Sequence, residues 1–399
     1  MEDARTGLLG IPRETLEACI GRLGQPRYRA DQVLGWVYAR GVVNPAAMTD
    51  LPRALREALA AEFGAQLDTR PTATETSADG TVKVTVGLAD GGATEAVLIP
   101  ETVDEDDDET PEDDAPDSRS GRTAGQGARP ASAAYTLCLS SQVGCAFGCA
   151  FCRSGSRGLV RHLAGREILA QLHWARAFLA GRGSIARIVL MGIGEPLHNP
   201  GGVLPALRLL TDARAAAFSG RRVTVSTVGL PEGLRRLADA FGGRIALAWS
   251  LHAADEATRR RLLPVAARRP VRETLEALRD HPLPPRRRIT IECVLAGGVN
   301  DTERHARDVA RLLGGLRCKV NLIPFNPWRE PAGAAGAAAT TDGEPLRPPE
   351  PERVEAYRRV LAAAGLSAFV RKPRGADILA ACGQLLGRAD LSRGGRWDS

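Results

Sequence analysis

Along the first 65 residues apolar positions recur in steps of three and four: Leu16, Ile20 and Leu23, then Val33, Trp36 and Val37, then Leu51, Leu55 and Leu59. Such steps put each set on one face of an α-helix, so the spacing predicts helices here with a turn over residues 25–30. From residue 81 the period drops to two. Val82, Val84 and Val86 alternate with polar residues, an apolar run follows over 96–99, and Gly91-Gly92 lies between them, which predicts a β-hairpin. After residue 134 the pattern becomes an alternation of apolar runs and helical stripes. Strands are expected over 135–139, 185–191, 222–227, 244–251, 288–295 and 318–323. Helices are expected over 165–179, 204–216, 231–241, 271–280 and 303–313, with a last helix over 351–364 and a last strand over 367–371. Six β/α repeats predict an α/β fold whose parallel sheet curls into a complete or partial barrel, with chemistry at the carboxyl ends of the strands.

This divides the chain into a helical unit over 1–65, a β extension over 66–100, the barrel over 134–390 and a short flexible tail over 391–399. Residues 101–133 are expected to form a disordered loop, because an acidic run followed by Gly, Ser, Arg and Ala cannot bury enough apolar surface to offset its ordering entropy. A second low-complexity patch occupies 332–351. No apolar run approaches the roughly 20 residues that span a bilayer, and the first ten residues lack the apolar stretch of a signal peptide. A cytoplasmic protein is expected, in which cysteines serve as ligands or catalysts more often than as bridges.

Charge changes the picture once its distribution is considered. The chain carries a net +6, yet residues 101–117 hold eleven Asp or Glu and no Lys or Arg. The remainder therefore carries +17, the whole-chain +6 plus those eleven. So basic a body suits a polyanion such as RNA, or simply an arginine-rich composition. The clusters Arg259–Arg261, Arg268-Arg269 and Arg286–Arg288 are expected in helices or loops away from the strand ends, as phosphate contacts or solvated faces.

Four of the eight cysteines crowd together, and three of them form Cys145-Ala-Phe-Gly-Cys149-Ala-Phe-Cys152 directly after the first barrel strand. Three thiols so spaced can hold an iron–sulfur cluster with one iron left open. Zinc is the alternative, with Cys138 as a conceivable fourth ligand, since closed zinc sites take four. Other polar groups end successive strands: Gly194 and Glu195 after the second, Ser226 after the third, Ser250, Leu251 and His252 after the fourth, and Asn326 after the sixth. Cys19, Cys293 and Cys318 sit in apolar patterns as buried small residues. His162 and His198 lie near the motifs with no assigned role.

The spacing C-x-x-x-C-x-x-C at the first strand of a β/α barrel resembles the radical S-adenosylmethionine (SAM) superfamily. Further residues narrow the likeness: Cys138-Leu-Ser-Ser-Gln-Val-Gly-Cys145, Arg371-Lys-Pro-Arg-Gly-Ala-Asp377 leading to Ala-Cys382-Gly-Gln-Leu, Thr94-Glu95-Ala-Val-Leu-Ile-Pro100, Tyr28-Arg-Ala-Asp-Gln-Val-Leu-Gly-Trp36 and Met48-Thr-Asp-Leu-Pro. These resemble the RlmN/Cfr family of RNA methyltransferases. The resemblance implies a partial (β/α)6 barrel and an N-terminal domain that helps bind RNA. It implies a [4Fe–4S] cluster on Cys145, Cys149 and Cys152, and two SAM per turnover, bound by Gly194, Glu195, Ser226, Ser250, Leu251, His252 and Asn326. Cys382 would be methylated by one SAM. A 5′-deoxyadenosyl radical from the second would take hydrogen from that methyl, and the resulting carbon would add to an adenine ring carbon. Cys138 would release the product by forming a disulfide with Cys382, and Glu95 would accept the ring proton. The expected substrate is 23S ribosomal RNA, with transfer RNA as a second, and carbon 2 is favoured over carbon 8. A non-catalytic iron–sulfur RNA-binding protein is the contrasting reading. A flavodoxin or ferredoxin as electron donor, a monomer and no membrane complete the expectation. Two departures stand out: Arg153 follows the third cysteine, and His162 replaces a usual Asn.

Overall fold

A computed structural model describes residues 7–101, 133–328 and 338–386. The expected disordered loop, apart from its two end residues, and the expected tail lie outside the described residues. The N-terminal unit holds three helices, α1 (Arg13–Arg22), α2 (Tyr28–Leu34) and α3 (Arg53–Phe63). Pro12 and Pro52 precede α1 and α3, where a missing N–H costs nothing. Leu16, Cys19 and Ile20 of α1 and Leu55 and Leu59 of α3 turn inward. Leu23 is instead exposed, since it falls after the last turn of α1. Arg13 fastens this unit to the barrel: its guanidinium donates to Asp212 at 2.7 and 2.9 Å and to Asp31 at 2.6 Å.

Three antiparallel strands follow, β1 (Arg70–Thr76), β2 (Val82–Gly87) and β3 (Ala93–Pro100). The hairpin between β2 and β3 stands where the alternation puts it. β1 escapes the pattern because Thr-Ala-Thr-Glu-Thr buries neither face. β4 (Ala133–Cys138) pairs antiparallel with β3 and parallel with the next barrel strand. A short antiparallel pair, β5 (Gln142–Gly144) and β6 (Leu159–His162), brackets the cysteine loop. Gly144, at φ 71°, is required there, because a Cβ would lie 2.0 Å from the Gly158 carbonyl oxygen.

The barrel then runs α4 (Gly165–Leu179), β7 (Gly183–Leu190), α5 (Pro200–Thr211), β8 (Val223–Thr227), α6 (Pro231–Phe241), β9 (Ala246–Ser250), α7 (Glu256–Leu262), α8 (Val271–Arg279), β10 (Ile289–Leu295), α9 (Glu303–Leu312), β11 (Cys318–Pro324), α10 (Pro351–Ala363) and β12 (Ala368–Val370). The sheet order β1-β2-β3-β4-β7-β8-β9-β10-β11-β12 is parallel from β4 onward. Its ends do not meet, so the barrel is partial. α5 begins four residues before the expected start: Asn199 caps it by accepting the Gly202 amide at 3.0 Å, and Pro200 and Pro205 are tolerated in its first two turns. Cys19 and Cys293 are fully buried and Cys318 nearly so, as expected. No helix among the described residues is long and apolar enough to cross a membrane.

Candidate active site

At the carboxyl end of the sheet the cysteine loop leaves β5 and closes on itself. The Cys145 amide donates to Gly158 O at 2.9 Å and the Cys152 amide to Cys149 O at 3.0 Å. A Cβ at Gly155 would lie 2.9 Å from the Cys149 nitrogen, so the loop coils as tightly as glycine permits. The Cys145 and Cys149 thiols feel the charge of Cys152 and of the Glu195 carboxylate. Burial pushes the Cys145 thiol up to about 12 and that of Cys149 well above its ordinary value. Buried thiols of this kind ionise only against a strongly positive centre. Among the described residues no three His, Cys, Asp or Glu stand close enough to hold a single metal ion. A four-iron cube takes one thiolate at each of three separate corners.

The strand ends bring the expected groups to the same mouth. Gly194 has φ 104° and packs on Gln142, whose Oε1 accepts the Glu195 amide at 2.8 Å. The buried Glu195 carboxylate accepts the Leu197 amide at 3.0 Å and the Val228 amide at 2.8 Å. Burial nevertheless pushes it up to about 7, because desolvation favours the neutral acid. The Ser226 and Ser250 hydroxyls lie 3.4 Å apart. Leu251 is fully buried and donates its amide to Glu292 O at 3.1 Å.

His252 takes φ 59°, an uncommon conformation for a side-chain-bearing residue, held because Asn300 donates to its carbonyl at 2.8 Å. Its Nδ1 accepts the Val294 amide at 2.9 Å, which leaves the proton on Nε2. Burial lowers the ring's pKa to about 3, so it stays neutral. The ring lies 4.6 Å from that of Phe151, between two of the loop cysteines.

Cys382 arrives from the far end of the chain. Its segment is fastened on every side. Ser77 donates to Asp377 at 2.5 Å, the Gly375 amide donates to Asp79 at 2.9 Å, and Lys83 donates to the Ile378 carbonyl. The Leu386 amide donates to Glu95 Oε2 at 2.9 Å, Ser154 donates to Leu385 O at 2.6 Å, and the Arg153 amide donates to Gly383 O at 2.7 Å. Asn326 Nδ2 donates to the Cys382 carbonyl at 3.4 Å. Cys382 is exposed to solvent, and desolvation by the protein around it pushes its thiol up. Cys138 is buried in a cluster with Val97, Ile193, Ala380 and Leu385, and its thiol is pushed up to about 12, first by burial and then by Cys382. Val97 faces Cys138 across the β3–β4 ladder, so Glu95, two residues earlier, points to the same face.

One residue stands where the sequence pattern did not put it. Arg259, read as part of a run away from the strand ends, follows β9 on the short helix α7 and is 1% exposed, close enough to act on Cys149. Gln142 and Asn300 also went unremarked, since a single polar residue carries no periodic signal. His162 and His198 meet with ring centroids 5.1 Å apart, and Gln142 Nε2 lies 2.8 Å from His162 Nδ1.

Residues 139–310 match the radical SAM superfamily, and residues 6–64 match the ribosomal RNA large subunit methyltransferase N-terminal domain. A dual-specificity RNA methyltransferase RlmN from Sorangium cellulosum is 45% identical over 94% of this chain and 93% of its own. The chain belongs to the RlmN family. A second RlmN, from Anaeromyxobacter dehalogenans, is 41% identical over 96% of the chain and 93% of its own length. A radical SAM methyltransferase crystal structure from Sphaerobacter thermophilus superposes with a TM-score of 0.76 at 36% identity, covering 96% of this chain and all of that one. As a radical SAM RNA methyltransferase the chain takes a [4Fe–4S] cluster and SAM as cofactors.

Proposed function

We propose that the chain methylates carbon 2 of an adenosine in ribosomal RNA, and in transfer RNA as a second substrate, with Cys382 as the methyl carrier. The observation that carries this reading is the fastening of the exposed Cys382 segment to the cysteine loop, close enough to the buried Cys138 thiol to act on it. Cys145, Cys149 and Cys152 would hold the cluster. Glu195 would pair with the SAM ammonium, and Gly194, Ser226, Ser250, Leu251, His252 and Asn326 would enclose the rest of that molecule. Together the cofactors supply a transferable methyl and a radical able to abstract hydrogen.

Each protein side chain then has one task. Cys382 Sγ loses its proton and gains the methyl. The methyl loses one hydrogen atom, its carbon bonds to carbon 2 of the base, and the adduct gives up one electron, for which the cluster would be the acceptor. Glu95 accepts the ring proton through Oε1, which takes no hydrogen bond among the described residues while Oε2 holds Leu386. Cys138 Sγ attacks Cys382 Sγ, the bond from sulfur to carbon breaks, and the freed carbon takes a proton to become the product methyl. The disulfide left behind is reduced by ordinary thiol exchange. Electrons come from a flavodoxin- or ferredoxin-type protein, and the enzyme acts as a monomer in the cytoplasm.

The target base must be unstacked to reach this mouth, so loops and bulges are the expected targets. The test is anaerobic incubation of the reconstituted protein with reductant, methyl-deuterated SAM and total RNA, followed by nucleoside mass spectrometry. Labelled 2-methyladenosine is the expected product. Labelled 8-methyladenosine would overturn the choice of carbon, and no labelled nucleoside alongside cleaved SAM would overturn RNA as substrate.

A further inference from the structure

Arg259 is a buried cation that makes no ion pair among the described residues. It is 1% exposed, and its Nε and Nη1 have no hydrogen-bond partner among those residues. A carboxylate that acts on it belongs to Glu256, whose Oε1 is engaged with the Val271 amide at 2.7 Å. An isolated guanidinium in such a place is destabilising, and a fold keeps one only against an opposite charge.

The backbone around it shows where that charge lies. The Leu263 amide donates to Arg259 O at 2.6 Å, and the Ala150 amide, between Cys149 and Cys152, donates to Leu262 O at 2.9 Å. The carboxyl end of α7 is thus tied to the cysteine loop, and Leu262 and Leu263 pack with Phe147, Cys145 and Cys149 in one apolar cluster. The Arg259 charge is close enough to act on the Cys149 sulfur and on the His252 ring. Asp255, which accepts the Thr258 amide at 2.8 Å, starts the helix and sets its direction.

We propose that Arg259 is a redox-tuning residue: its uncompensated guanidinium faces the iron–sulfur cluster held by Cys145, Cys149 and Cys152 and raises the potential at which the cluster accepts an electron. This rests on the reading of those three cysteines as cluster ligands. A four-iron cluster with three thiolates is a net anion that gains one further negative charge on reduction. A fixed cation in a water-poor site stabilises the reduced form more than the oxidised one. The electron comes from a low-potential one-electron donor, and no bond in Arg259 changes.

The test is an anaerobic redox titration of the reconstituted full-length protein, with dithionite as reductant and the reduced cluster followed by electron paramagnetic resonance. Iron and sulfide content and the wild-type signal check the ligand reading separately, since their absence would sink that reading and not the role of Arg259 alone. Arg259→Gln is expected to keep its cluster and to shift the midpoint potential to a more negative value, while Arg259→Lys stays close to wild type. Equal potentials in Arg259→Gln and wild type, with full cluster content, would overturn the proposal. If Arg259→Gln does not retain a cluster, Arg259→Lys decides: a near-wild-type potential supports the charge role, and a loss of cluster or a clear negative shift in the lysine variant overturns it.

Discussion

At the scale of single residues, the site is built from groups held in protonation states that bound cofactors would change. Glu195 is the clearest. Its carboxyl titrates near 4.5 in an unfolded chain and about 7 in the fold, so the folded state binds the proton more tightly. That proton favours the fold below pH 4.5, and its contribution is lost as the pH rises through 7. At about 1.4 kcal/mol per pH unit, the shift corresponds to something on the order of 3 kcal/mol. Denaturant unfolding of the SAM-free protein at pH 5 and pH 8 is expected to show a fall in wild-type stability that Glu195→Gln largely removes. An equal fall in the variant would mean that Glu195 is not the buried acid described above. The cysteine trio was readable from the sequence because its spacing of four and three is local. Arg259 was not. It sits in a run of three arginines on a seven-residue helix, where one turns inward and Arg260 outward, and so short an element leaves no stripe to reveal which is which.

Among the elements, the barrel helices and strands were legible wherever one face is buried: α4 and α6 run over the residues their apolar spacing marks. β1, polar on both faces, and the β5–β6 pair, too short for a period, left no such mark. The segment from Gly375 to Leu386 has almost no regular structure, so no periodicity could place it; only its likeness to family motifs did. Its position is set by hydrogen bonds to the β1–β2 turn, β2, β3 and the cysteine loop. Asp377 is held below its usual range by the Ser77 hydroxyl and the Ala78 amide. Asp377→Asn is therefore expected to speed amide hydrogen exchange across 375–386 several-fold and to lower kcat, with exchange in α4 and β10 unchanged. If exchange in the segment matched wild type, the Asp377 contacts would not be what fastens Cys382.

For the whole molecule, the fold gathers at one mouth residues far apart in sequence: Glu95 from the β extension, Cys138 and the cysteine loop from the start of the barrel, Cys382 from its end. The N-terminal unit is clamped to the barrel through Arg13, and through Arg176, which donates to Tyr38 O at 2.6 Å, at the carboxyl ends of α5 and α4. That convergence is the reason the chemistry is assigned to Cys382 and its release to Cys138. The most direct test is to express Cys138→Ala with its RNA, purify it under denaturing conditions, digest it, and examine the Cys382 peptide by mass spectrometry. A nucleotide linked to Cys382 through one carbon, absent from the wild type and from Cys382→Ala, is the predicted result. An unmodified Cys382 peptide, with methylated adenosine still accumulating in the RNA, would contradict the account.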